Sequence, residues 1–161
     1  MILRPATPLD FSFVRAIAGR PENAPYLTDE DDTALAAYLS DASARLLIWG
    51  DNSPRGFAIF CNVGDPAGVV ELMRLALATP GQGEGPAFIR ALTDHAFGPL
   101  QAERLWLDAT GENLRAQRVY TRHGFTLEGR LRRHHYRPAI DRVVDVLIFG
   151  MLREEWAALP R

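Results

Sequence analysis

The chain contains no lysine; all 18 of its basic residues are arginine. That absence excludes a Walker-type phosphate loop and any mechanism that runs through a lysine Schiff base. Cysteine is almost absent too. Cys61 stands alone, so neither an internal disulfide nor a cysteine-built metal cage can form, and no metal site is expected. A reducing cytoplasm is the expected setting. Long apolar runs are missing: none approaches the ~18–20 residues of a membrane-spanning helix. The start, Met1-Ile2-Leu3-Arg4-Pro5, lacks the apolar core of a signal peptide. Strong charge of either sign is missing as well. A net charge of −2 argues against a protein built to hold nucleic acid.

What is present is ordinary globular material. The 161 residues are 47% apolar and 24% charged, which suits one domain over 1–161 with one sizeable core. Ile2–Arg4 reads as a short strand. Pro8–Gly19 reads as a helix, with Phe11, Val14, Ile17 and Ala18 at helical spacing. Thr28 opens a second helix to about Leu39, with Asp29, Glu30, Asp31 and Asp32 where the dipole favours acids. Ala44–Trp49 and Arg55–Asn62 form a hairpin around a turn-rich Gly50–Pro54, and Val69–Ala78 is a third long strand. A helix follows Gly85. Arg104–Asp108 is a strand, Asn113–His123 a helix closed by Gly124, and Phe125–His134 with Arg142–Met151 a last strand pair. The order βααβββαβαββ implies a mixed α/β (α+β) fold rather than a doubly wound sheet.

Two segments carry chemistry. From Leu75, Ala76 and Leu77 the chain enters Pro80-Gly81-Gln82-Gly83-Glu84-Gly85-Pro86 and then a helix. Such a turn offers backbone N–H groups at a helix N-terminus, a place for phosphate, though a flexible connector fits equally well. The glycines miss the dinucleotide fingerprint, whose third glycine would fall at Pro86. Glu84 suits a phosphate loop only if it points to water. In the second segment Asn113, Ala116 and Tyr120 share a helix face, with an amide and a phenol about 10 Å apart along the axis. The residues alone favour a buried tyrosine with one hydrogen bond.

The spacing N-x-x-A-x-x-x-Y-x-x-x-G-F-x-x-E-G from Asn113 to Gly129 resembles the GNAT N-acetyltransferase family, in the branch that acetylates ribosomal-protein N-termini and spermidine. The glycine loop and the ending Met151-Leu152-Arg153-Glu154-Glu155-Trp156 resemble that branch too. The resemblance implies a twisted, mostly antiparallel sheet of six to seven strands with about four helices. It implies acetyl-CoA as cosubstrate and a primary amine of a small molecule or protein N-terminus as acceptor. Leu75, Ala76 and Leu77 would pair with the pantetheine arm, and Gly81, Gln82, Gly83, Glu84, Gly85 and Pro86 would hold the pyrophosphate. Asn113 and Ala116 would line the cofactor, and Tyr120 would protonate the departing thiolate. Pro80 departs from the family's arginine or glutamine, and Pro86 contributes no N–H. A non-catalytic acyl-CoA-binding module of the same fold is the alternative.

Glu71 is the leading base, through water, as in some family members. Period-2 alternation puts it on the face of Met73, Leu75 and Leu77. A structural ion pair with an arginine explains it equally well. Glu128 and His123 are weaker candidates. Adjacent His134 and His135 should point to opposite faces, and Arg130–Arg137 reads as a solvated edge strand. The Asp29–Asp32 run either caps a helix or draws a cationic acceptor. Homodimerisation through the last strands is compatible with this reading.

Overall fold

The computed structural model describes residues 1–160. β1 (Ile2–Pro5) leads through a 3-10 turn into α1 (Phe11–Ala18) and then α2 (Asp32–Ser40). Three strands follow, β2 (Arg45–Gly50), β3 (Pro54–Cys61) and β4 (Val69–Leu77), then α3 (Gly85–Phe97). β5 (Arg104–Thr110), α4 (Leu114–Arg122), β6 (Thr126–Arg137), β7 (Arg142–Leu152) and α5 (Arg153–Ala157) complete the chain. Among the described residues one sheet holds all seven strands in the order β1-β2-β3-β4-β5-β7-β6. Every junction is antiparallel except β4–β5, which is parallel.

Both expected N-terminal helices are shorter than the sequence suggests. Pro8–Asp10 is a 3-10 turn, because the Asp10 carboxylate accepts from the Thr7 N–H at 2.8 Å and from both Arg4 guanidinium nitrogens at 2.9 and 2.7 Å. α2 starts at Asp32, and Asp31 caps it by accepting from the Ala34 N–H at 2.8 Å. The short α5 brings the described α-helices to five, one beyond the expected four. It ends a chain whose Trp156 ring stacks on Phe97 at 5.3 Å.

The sheet has apolar residues on both faces. Phe60, Leu72, Leu105 and Phe149 meet Phe88 and Leu92 of α3 and Tyr120 of α4 on one face. Ile48, Phe57 and Ile59 meet Phe11 and Ile17 of α1 and Leu35 of α2 on the other. The first is the α3 face and the second the α1 face.

Two irregularities decide where the polar side chains go. In β4 the register slips: Phe60 faces Leu72, but Ile59 faces Arg74, so Met73 is an inserted residue. The insertion reverses the parity of the strand. Leu75 and Leu77 pack on the α3 face, whereas Met73 and Ala76 pack on the α1 face. Glu71, opposite Cys61, therefore shares a face with Met73 and Ala76 and not with Leu75 and Leu77 as simple alternation predicts. In β6 the register slips again between Leu131 and His135. There Arg133 takes φ 49°, and Asp145 accepts from the Arg133 N–H at 2.8 Å and from the Arg130 Nε at 2.7 Å.

Candidate active site

β4 and β5 pair only at Val69–Arg104, Val70–Leu105 and Glu71–Trp106. Both strands continue, β4 to Leu77 and β5 to Thr110, without further pairing to each other. The sheet opens there into a wedge. Backbone groups of β4 that face it lack a strand partner, and an extended ligand with amide groups can supply one. A cleft of about 680 Å³ fills the wedge. Leu75, Ala76, Leu77, Asn113, Ala116 and Tyr120 all line it.

Tyr120 enters from the α3 face. Its ring lies 5.6 Å from Phe149 and 6.0 Å from Phe125, and the residue is 6% exposed. Among the described residues its hydroxyl makes no hydrogen bond, contrary to the bland reading of a satisfied core tyrosine. Burial, and then the nearby Asp108 charge, push its pKa well above the usual phenol range, so the proton stays on.

Glu71 and Asp108 enter from the opposite, α1 face. Glu71 faces Trp106 across the last β4–β5 pair, and Asp108 follows Trp106 by two residues on the same side of β5. Among the described residues neither carboxylate has a hydrogen bond or salt bridge, so the alternative, a structural pairing of Glu71 with an arginine, is not made. Desolvation raises the Glu71 pKa first, the Asp108 charge raises it further, and Arg74 offsets part of this. Asp108 is exposed toward the cleft yet surrounded by protein, and desolvation raises its pKa against the pull of Arg137, His135, Arg74 and His134. Asp108 was not singled out in the sequence. Its signal was parity: Leu105, Leu107 and Ala109 are buried in the core, which leaves Asp108 on the other face.

The α1–α2 segment and the end of β6 form the outer walls. Tyr26, Leu27 and Thr28 line one side. Arg20 Nη1 donates to the Ala78 carbonyl at 2.5 Å, and Arg74 Nη1 to Glu30 Oε2 at 3.1 Å, while the Tyr38 hydroxyl donates to Glu30 at 2.9 Å. The acidic run is thus occupied: Asp29 and Asp32 bind Arg15, Asp31 caps α2 and Glu30 holds Arg74. It offers little to a cationic acceptor. On the other side His134 and His135 both reach the cleft, because the β6 irregularity cancels the alternation that should separate them. Among the described residues no cluster of three or more metal-ligating side chains occurs.

The glycine loop lies at the mouth. Gly81 and Gly83 take φ 91° and 78°, which L side chains resist. Gly85 lines the cleft as the first residue of α3. Gly81, Gln82, Gly83, Glu84 and Pro86 do not line it; Pro86 borders a separate hollow beside Trp156 and Leu159. Glu84 turns to Arg55 rather than to water, so its charge is neutralised instead of facing an incoming phosphate. Asn113 caps α4, accepting from the Ala116 N–H at 3.1 Å, and the helix itself begins one residue later than expected. The weaker candidates are placed elsewhere: Glu128 pairs with Arg104, and His123 Nδ1 contacts the Val119 carbonyl at 2.7 Å.

Residues 11–125 match the model of the acetyltransferase (GNAT) family. The chain belongs to that family. It is an acetyltransferase that draws its acetyl group from acetyl-CoA, and the wedge, the glycine turns and the unpartnered phenol fit that cosubstrate. Solved structures share the fold. A spermidine N-acetyltransferase from Vibrio cholerae in complex with CoA and spermine is 20% identical, with TM-score 0.85 over 96% of both chains. A dodecameric structure of spermidine N-acetyltransferase from the same organism is 20% identical, with TM-score 0.80 over 97% of this chain and 95% of that one. Among the described residues of this GNAT chain no helix is long and apolar enough to cross a membrane.

Proposed function

We propose that this single-domain enzyme transfers acetyl from acetyl-CoA to a primary amine by direct attack, with Tyr120 as acid and Glu71, assisted by Asp108, as base. The observation that carries the reading is the wedge itself. It is a slot through the sheet with the phenol on one face and two unpaired carboxylates on the other. An amine attacking from the carboxylate side expels the thiolate toward the phenol.

The residues divide the proton work. A lysine-like ammonium costs about 4.6 kcal/mol to deprotonate at pH 7, which calls for a base. Glu71, raised by desolvation and by Asp108, is a stronger base than an ordinary carboxylate and takes that proton directly or through water. The nitrogen–carbon bond forms, the carbon–sulfur bond breaks, the thiolate takes the Tyr120 proton, and the second nitrogen proton returns through water to the Tyr120 oxygen, leaving one proton on Glu71 to pass to solvent. Gly81, Gly83 and Gly85, with the α3 N-terminus, support a pyrophosphate site, and Leu75–Leu77 a pantetheine track. Gln82, Glu84 and Pro86 enter only through their backbone, Pro86 without an N–H.

A thiol-release assay with acetyl-CoA and a panel of amines tests this. CoA binding without turnover of any amine would leave only a binding module. The lone Cys61 supports a reducing cytoplasm as the setting. Exposed Leu127, Leu131, Tyr136 and Val143 on β6 and β7 support a homodimer, which light scattering would reveal.

A further inference from the structure

The cleft wall holds two more unsatisfied groups. Arg137 closes β6 and lines the cleft wall facing Asp108. Its Nε is buried, and among the described residues it has no hydrogen-bond partner. Among the described residues the guanidinium makes no salt bridge either, whereas Arg74, which lines the same cleft, is held by Glu30. A second orphan lines the same cleft: Thr110, 5% exposed, has an Oγ1 with no partner. Buried donors rarely stay unpaired in proteins, and a half-buried arginine fork with its Nε closed off is matched best by a planar anion.

The acceptor end therefore has two polarities. Glu71 and Asp108 suit an ammonium, and Arg137 suits an anionic group on the same molecule. A polyamine satisfies only the first and brings a second cation toward Arg137. The N-terminus of a protein has its α-carboxyl tied up in the first peptide bond, so apart from an acidic first side chain it satisfies only the first as well.

We propose that the acceptor is a small zwitterion of amino-acid type, held by its carboxylate at Arg137 while its amine faces Glu71 and Asp108. The inference rests on the acetyl-transfer reading above.

Matched pairs test it: free amino acids against their carboxamides, with spermidine and short amidated peptides alongside. The expected result is a kcat/KM at least about tenfold higher for the free acid, although its amine is the harder to deprotonate. Arg137→Gln should bring that ratio to about one, Arg137→Lys should keep part of it, and melting temperatures should confirm that both variants fold. A carboxamide, peptide or spermidine that matches or beats the free acid overturns the proposal. Calorimetry on the CoA-loaded protein separates the two failures. Arg137-dependent binding of the free acid without turnover removes the catalytic reading and keeps the zwitterion site. Equal binding of acid and carboxamide, or binding of neither, removes the site.

Discussion

Asp108 stands on the same side of the sheet as Glu71, one strand away, and its charge raises the Glu71 carboxyl above the position that desolvation alone would give. The Asp108 charge thus bears on the Glu71 carboxyl. Glu71→Gln should lower kcat/KM by roughly 10²–10⁴ and abolish the acid limb of its pH profile. Asp108→Asn should keep that limb and move it to lower pH. An unchanged limb in Glu71→Gln would assign the base elsewhere.

The same pair strains the fold at neutral pH. Both carboxyls have folded pKa values above their unfolded ones. Their stability cost is absent below the ordinary carboxylate pKa and grows as pH rises through the folded value. Glu71→Gln should therefore melt higher than the parent at pH 7, and the gap should close below about pH 4. Calorimetric melts at pH 4 and pH 7 supply the comparison.

Tyr120 separates turnover from folding. Its hydroxyl has no protein hydrogen bond to lose, while its ring is packed against Phe125 and Phe149. Tyr120→Phe should cut turnover by about 10²-fold or more yet leave the melting temperature and CoA affinity nearly unchanged. Retained turnover would remove the phenol as acid.

In the glycine loop, backbone angle matters more than room. A Cβ at Gly81, Gly83 or Gly85 would meet nothing within 4 Å, but only Gly81 and Gly83 have positive φ. Gly81→Ala and Gly83→Ala should each cost about 1–2 kcal/mol in the bound loop geometry. Calorimetry should show this as weaker CoA binding, with Gly85→Ala a milder control.

At the far edge of the sheet, Asp10 is held down to about 2, chiefly by its hydrogen bonds to Arg4 and then to Thr7, against the opposing cost of burial. A depressed carboxylate stabilises above its unfolded pKa and loses that contribution as pH falls through the folded value. Asp10→Asn should destabilise by about 1–2 kcal/mol at pH 7, allowing for the half-exposed Arg4. Denaturant melts should show the difference shrinking between about pH 4 and pH 2.

The elements, the glycine turn and the Asn113–Tyr120 face were legible in the sequence because each rests on local signals: periodicity, capping and turn residues. What escaped notice rests on counting. One inserted residue at Met73 turns Leu75 and Leu77 away from Glu71's face, and no composition signal marks it. The β6 irregularity likewise brings His134 and His135 to one wall. Asp108 was readable from the alternation around it but resembled an ordinary strand-end acid. Arg137 lay within a run whose other arginines face solvent, and only the curl of β6 over the cleft distinguishes it.

The β4–β5 seam also has a mechanical meaning. Among the described residues it joins a four-stranded half, β1 to β4, to a three-stranded half through three residue pairs, fewer than any other junction. The sheet is two plates joined at a short seam. On the proposed reading a cosubstrate in the wedge would touch both plates and splice them, so the rigidity of the whole sheet would gauge whether the enzyme is charged.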